Sequence, residues 1–160
     1  MNEIDTKELE DMPLDPIVAV DTIFQLTKTS PNVINQEIER LIQTFKEEID
    51  YGTIYSQKNG QAIGKPSLWK PGAEKVCVMF NLDPQFSKDQ EILDMLGNPK
   101  GLVTLKCVLV DRISQQRVGE GRGCAMLGDK GRDFNTTVKI AEKSAQIDAV
   151  LRTFALSQRF

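Results

Sequence analysis

The chain has no histidine, only three cysteines, one tryptophan and two tyrosines among its 160 residues. Without histidine, neither a Ser–His nor a Cys–His nucleophile pair can be assembled. Cys77, Cys107 and Cys124 are scattered, odd in number and contain no Cys-x-x-Cys pair, so no zinc site is expected. Set in apolar stretches, they read as buried free thiols that suit a reducing cytoplasm. No apolar run reaches the ~18 residues of a membrane span. Met1-Asn2-Glu3-Ile4-Asp5 lacks the basic start and apolar stretch of a signal peptide. Gly119-x-Gly121-x-Gly123 falls inside a strand pattern, with no Gly-Lys-Ser/Thr after it, and so is not a nucleotide fingerprint. Carboxylates crowd the N-terminal third, but none is paired in a setting that predicts a shifted pKa. These absences argue against an enzyme, a cofactor or a metal and leave a binding role.

What is present is an asymmetry of charge. Hydrophobic residues make up 40% and charged residues 27%, as in a soluble, single-domain protein. The net charge of −3 hides a split: residues 1–50 hold 12 Asp/Glu and 4 Lys/Arg, whereas residues 51–160 hold 11 and 16. An acidic N-terminal third joined to a basic module is the pattern of a polyanion-binding unit with an acidic arm. A merely solubilising arm is the alternative.

Periodicity divides the chain into an acidic tail over 1–15, broken by Pro13 and Pro16, a helical arm over 16–50 and a core over 51–160. A short helix is expected over 17–28. A second, over 33–49, carries Ile34, Ile38, Leu41, Ile42, Phe45 and Ile49 on one face. Thr53–Gln57 and Gln61–Lys65 flank Lys58-Asn59-Gly60 as a hairpin with an Asn-Gly turn. Leu68 and Trp69 anchor the chain before Pro71 opens a helix with Ala73, Val76, Cys77 and Phe80 on one face. Residues 83–100, with Pro84, Gly97 and Pro99, read as an excursion around a short turn or helix at 91–96. Leu102–Ile113 and Arg117–Met126 form an antiparallel strand pair. Alternate glycines at 119, 121 and 123 flatten one face of it, for a helix or for a ligand. Asn135 is placed to cap a helix running to about Leu156, with Ile140, Ser144, Ile147, Leu151 and Phe154 as its core stripe. The fold class is therefore α+β: β-hairpin, helix, antiparallel strand pair and long C-terminal helix, with a helical N-terminal arm.

The candidate binding residues are cations at turns and junctions. Lys58 sits at the hairpin tip, Lys65 and Lys70 at the strand end and helix start, and Arg112, Arg117 and Arg122 along the strand pair. Lys130 and Arg132 precede the long helix, and Lys139 and Lys143 stack at i, i+4 along it. Phosphate neutralisation needs such charges on a common track and no base pattern, so the expected contact is independent of sequence. Few aromatics are available to stack bases, which favours backbone tracking.

Tyr51-Gly52-Thr53-Ile54, Lys65-Pro66-Ser67-Leu68, Lys70-Pro71-Gly72-Ala73-Glu74-Lys75 and the run Asn135–Leu151 with Asp148-Ala149-Val150-Leu151 resemble the core of phage and bacterial single-strand annealing proteins. These belong to the Rad-fifty-two-like superfamily. The resemblance spans roughly residues 50–157. It implies ATP-independent binding and annealing of single-stranded DNA in recombination and repair. The protein would act as a homo-oligomeric ring or filament, be encoded by a phage or prophage, work in the bacterial host cytoplasm and use no cofactor. It implies DNA contacts from Lys58, Lys65, Lys130, Arg132, Lys139, Lys143 and Arg152; with Lys70, Arg112 and Arg117 from the charge distribution, ten residues are the expected DNA contacts. Glu142-Lys143-Ser144 stands where many members carry a Lys-Arg pair. Longer members continue past the signature helix, so a tail that binds partner proteins is expected to be missing. Reduced or regulated DNA binding is compatible with both departures. The alternative is an interaction protein on the same fold, inhibiting or recruiting a host protein through the acidic helix 33–49.

Overall fold

The computed structural model describes residues 31–160. The expected tail over 1–15 and helix over 17–28 lie outside the described residues. The elements, in order, are α1 (Pro31–Gln43), β1 (Tyr51–Gly52), β2 (Ser67–Leu68), α2 (Lys70–Met79), β3 (Leu82–Lys88), α3 (Gln90–Met95), β4 (Leu102–Asp111), β5 (Arg117–Met126) and α4 (Phe134–Thr153). Short 3-10 turns follow β5 at Asp129–Gly131 and α4 at Leu156–Gln158. The chain is α+β, with antiparallel strands and a long C-terminal helix.

The sheet has three strands, in the order β3-β4-β5. β4 and β5 are the expected pair, in register from Leu102 opposite Met126 to Leu109 opposite Gly119, with Val118 the extra residue of a bulge before Arg117 meets Val110. The third strand is a correction: it lies in the stretch expected to be an excursion. Pro84 masked it, because proline lacks a ladder donor, yet β3 is an edge strand where that donor is dispensable. The expected short helix at 91–96 is α3, capped by Asp89, whose side chain accepts the Ile92 N–H.

One face of the sheet is covered by α4. Gly119, Gly121 and Gly123 meet Thr153, Ala149 and Ala145. A Cβ on Gly121 would overlap the backbone of Ala149, 2.6 Å from its Cα, so only glycine permits this approach. The flat glycine face is thus filled by a helix, not a ligand. It also overturns the expected stripe of α4. Its buried line is Thr137, Ala141, Ala145, Gln146, Ala149 and Val150, while Ile147, Leu151 and Phe154 pack at the margin. Asp133, not Asn135, caps this helix, its side chain accepting the Thr136 N–H at 2.7 Å. The bonds to Thr136 hold the Asp133 carboxyl below the ordinary value. The helix ends at Thr153, short of Leu156.

α2 forms as expected: Pro71 is in its first turn, and Ala73, Val76 and Cys77 are buried with Leu82, Cys107 and Leu109. α1 is shorter than the periodicity implied. Leu41 and Phe45 join the core, but the helix stops at Gln43 and Ile49 is 55% exposed. Asp50 is the reason. Fully buried, its carboxylate accepts the Lys46 N–H at 2.8 Å and lies 2.5 Å from Lys75 Nζ, and its carbonyl accepts the Trp69 N–H. Residues 44–50 close on these bonds instead of continuing the helix. Phe160 then packs on Phe45 and Tyr51, at 5.9 and 5.3 Å between ring centroids, and Arg159 pairs with Glu39. Ile38, Leu41 and Ile42 of α1 therefore pack on their own module.

The hairpin is sparser than expected. β1 pairs with β2 at its base, and Tyr55 bridges Ala62 further out. The tip is a loop in which Gly60 alone is left-handed (φ 67°), while Asn59 turns its side chain onto the Gln61 N–H. A type I′ turn would need both residues at positive φ. One cysteine also departs from expectation: Cys77 and Cys107 are buried, but Cys124 is exposed.

Two outcomes test this packing. Gly121→Val, whose branched side chain has nowhere to go but the Ala149 backbone, should cost about 3 kcal/mol or more in denaturant unfolding. Burial raises the Asp50 pKa, but the hydrogen bonds and charge of Lys75 and the Lys46 N–H outweigh it and hold the carboxyl below 3.8. Its contribution is complete above that value and is lost as pH falls below 3.8 toward the lowered folded value. Asp50→Asn should therefore lower stability at neutral pH by about 2 kcal/mol and flatten the loss of stability in acid, read by unfolding curves across the acid range.

Candidate functional site

A cleft of about 860 Å³ opens between α2, β3 and the first half of α4. Three periodicities build its walls. Lys70, Glu74 and Val78 recur every four residues along α2. Leu82, Pro84 and Phe86 alternate along β3 and form the floor. Thr136, Lys139, Ile140 and Lys143 share one flank of α4, and Arg112 reaches in just past the end of β4.

The surface is apolar below and cationic at the rim. Val78 is 69% and Phe86 39% exposed, so apolar side chains open onto the cleft. Lys70, Arg112, Lys139 and Lys143 converge on the cleft against Glu74 and Glu142. Lys70 is paired with Glu74 at 3.2 Å. Among the described residues, Arg112, Lys139 and Lys143 have no carboxylate within salt-bridge distance. Cys77 and Gln146 line the inner end, with Gln146 Nε2 3.8 Å from Cys77 Sγ. Burial pushes the Cys77 thiol up, and burial with the neighbouring Cys77 pushes Cys107 up to about 12, so both stay protonated and unreactive. The cleft can hold an anion or an amphipathic chain.

Four of the ten candidate cations, Lys70, Arg112, Lys139 and Lys143, thus share one site. The other six do not line it. Lys58 is exposed at the hairpin loop and Lys130 in the 3-10 turn after β5. Arg117 is paired with Glu120 at 2.6 Å, Arg132 with Asp129 at 3.0 Å and Arg152 with Asp148 at 3.6 Å. Lys65 points at the end of the chain, donating to the carbonyls of Ser157 and Gln158 at 3.1 and 3.2 Å. Arg122 serves the fold: its Nε lies 3.0 Å from the buried Asp89 Oδ2, off the line of a hydrogen bond, and its backbone N–H donates to the Asp148 carboxylate.

Sequence reasoning missed the apolar floor and the shifted carboxyl of Asp50. Val78 was legible as the residue eight beyond Lys70; Pro84 and Phe86 were hidden with their strand. Among the described residues no group of His, Cys, Asp and Glu could hold a metal, and no helix is long and apolar enough to cross a membrane. Comparison with protein-family models, curated proteins and solved structures finds no match to this chain.

The role of Lys65 has a direct check. Lys65→Ala should lower the melting temperature by about 3–5 °C, since it strips a charged donor from two carbonyls of the final turn. It should leave any binding at the cleft unchanged.

Proposed function

We propose that the protein binds single-stranded DNA without sequence preference or ATP, and anneals complementary strands as a homo-oligomer in phage recombination and repair. One observation carries this reading: Lys70, Arg112, Lys139 and Lys143, chosen from the sequence as phosphate contacts, come from three separate segments to one cleft. The sequence resemblance to Rad-fifty-two-like annealing proteins supplies the annealing step and the ring or filament. The order of three antiparallel strands and a covering helix is compatible with that kinship. Cations on the rim neutralise phosphates, and Phe86 offers one exposed ring for a base to rest on. Bases not held by hydrogen bonds stay free to pair with a second strand. Exposed Ile54, Tyr55 and Ile63 on the hairpin offer apolar surface for assembly.

Four phosphate contacts per subunit on a single strand imply a slope of log K on log salt of about −3, so affinity should fall about 50-fold between ~50 and ~200 mM salt. Lys139→Glu with Lys143→Glu should weaken binding by more than about tenfold and roughly halve that slope. A salt-titrated gel shift with labelled oligonucleotides measures both. No binding at ~50 mM salt, where a phosphate-driven site is strongest, would sink the reading and turn attention to a protein ligand.

A further inference from the structure

An apolar floor inside a cationic rim is complementary to a chain that interleaves apolar and acidic side chains, and the protein carries one. Glu8-Leu9-Glu10-Asp11-Met12-Pro13-Leu14-Asp15 sets four carboxylates among Leu9, Met12 and Leu14, with no cation. Pro13, with Pro16 just beyond, is a sequence signal against a helix over this stretch. A plain solubilising tail would need the charge but not the apolar residues.

We infer that residues 8–15 dock in the cleft of their own chain, carboxylates on Lys139, Lys143, Lys70 and Arg112 and apolar side chains over Val78, Pro84 and Phe86, and there compete with DNA. The competition rests on the nucleic-acid reading above; the docking does not.

Reach is no obstacle. Fifteen residues separate Asp15 from Pro31. Fully extended they span about 50 Å, and about 30 Å with a helix over 17–28, against a radius of gyration of about 14 Å for a globule of this size. The segment joins α1 at Pro31, and the far end of that helix, 13 residues on, lies beside α2, where Lys75 donates to the Thr44 carbonyl. Tethering raises the local concentration of the segment to about millimolar, so a docking constant of ~0.1 mM would lower DNA affinity about tenfold. Screening removes the effect at high salt, because the rim charges lie at the surface.

The test uses the full chain in two arms. The first is zero-length carbodiimide cross-linking without DNA, mapped by mass spectrometry, with the Lys70–Glu74 pair inside the cleft as internal control. Cross-links from Glu8, Glu10, Asp11 or Asp15 to Lys139, Lys143 or Lys70, independent of protein concentration and lost at ~500 mM salt, are expected. The control link forming without them, or links spread evenly to distant lysines such as Lys58 and Lys100, would overturn the docking. The second arm compares DNA affinity of the native chain with the quadruple variant Glu8→Gln, Glu10→Gln, Asp11→Asn, Asp15→Asn. The variant should bind about tenfold tighter at ~50 mM salt, the gap closing as salt rises. Equal affinity at low salt overturns the competition. If neither form binds DNA, the nucleic-acid reading falls and the cross-links alone decide the docking.

Discussion

The closeness with which α4 lies on β5 sets the rest of the structure. Three alternate glycines on the strand and alanines spaced by four on the helix remove the side chains that would hold the two layers apart. The seam fixes both the height of the helix above the sheet and its rotation about its own axis. With Ala141, Ala145 and Ala149 turned inward, helical geometry puts Lys139, Ile140 and Lys143 on a flank turned off the seam. That flank faces α2 across the edge strand β3, and the space between them is the cleft. A bulkier seam would lift α4 and dissolve the site without touching a single cleft residue.

Electrostatics then sort the cations. A buried carboxylate needs a partner, and two of those here remove a basic residue from the pool available to a ligand, while Asp111 accepts the backbone N–H groups of Ile113 and Ser114 instead. Asp50 takes Lys75, and Asp89 with Glu91 takes Arg122. Surface acids take Arg117, Arg132 and Arg152, and backbone carbonyls take Lys65. The basic excess of residues 51–160 therefore overstates the surface that can meet a polyanion. What remains concentrated in one place is the cleft rim.

Local features were legible where one residue type decides them. α2 follows from Pro71 and an apolar spacing of three and four, and β4 from plain alternation. α4 was legible as a helix but misread in its facing. Isoleucine and leucine outweigh alanine in any hydrophobic count, yet a glycine strand selects small partners, so the true stripe is the one that looks weakest. β3 was hidden by Pro84, whose cost disappears at an edge. The end of α1 was hidden because Asp50 competes for backbone donors through tertiary bonds to Lys75 and Trp69, which no local pattern encodes. The site divides in the same way. Single cations could be named from their positions at turns and helix starts, but which four would meet depended on the juxtaposition of α2 and α4, a consequence of the seam.

The cleft's composition bears on what kind of binder it can be. An annealing protein must hold a strand firmly enough to expose its bases and loosely enough to release the duplex. On that reading, a rim of cations with Glu74 and Glu142 set among them would hold a strand at less than maximal affinity: each carboxylate cancels part of the field at short range without removing the cations that would position phosphates. The apolar floor adds attraction that salt does not screen and that is indifferent to base identity. A duplex, stiffer and with its bases stacked inside, could offer the floor nothing. Release on pairing would then follow from the shape of the site, with no nucleotide hydrolysis required. The same two features, moderate charge and an exposed floor, leave the cleft open to an acidic, apolar segment, so weak DNA binding and regulation by the chain's own acidic arm would have one physical origin.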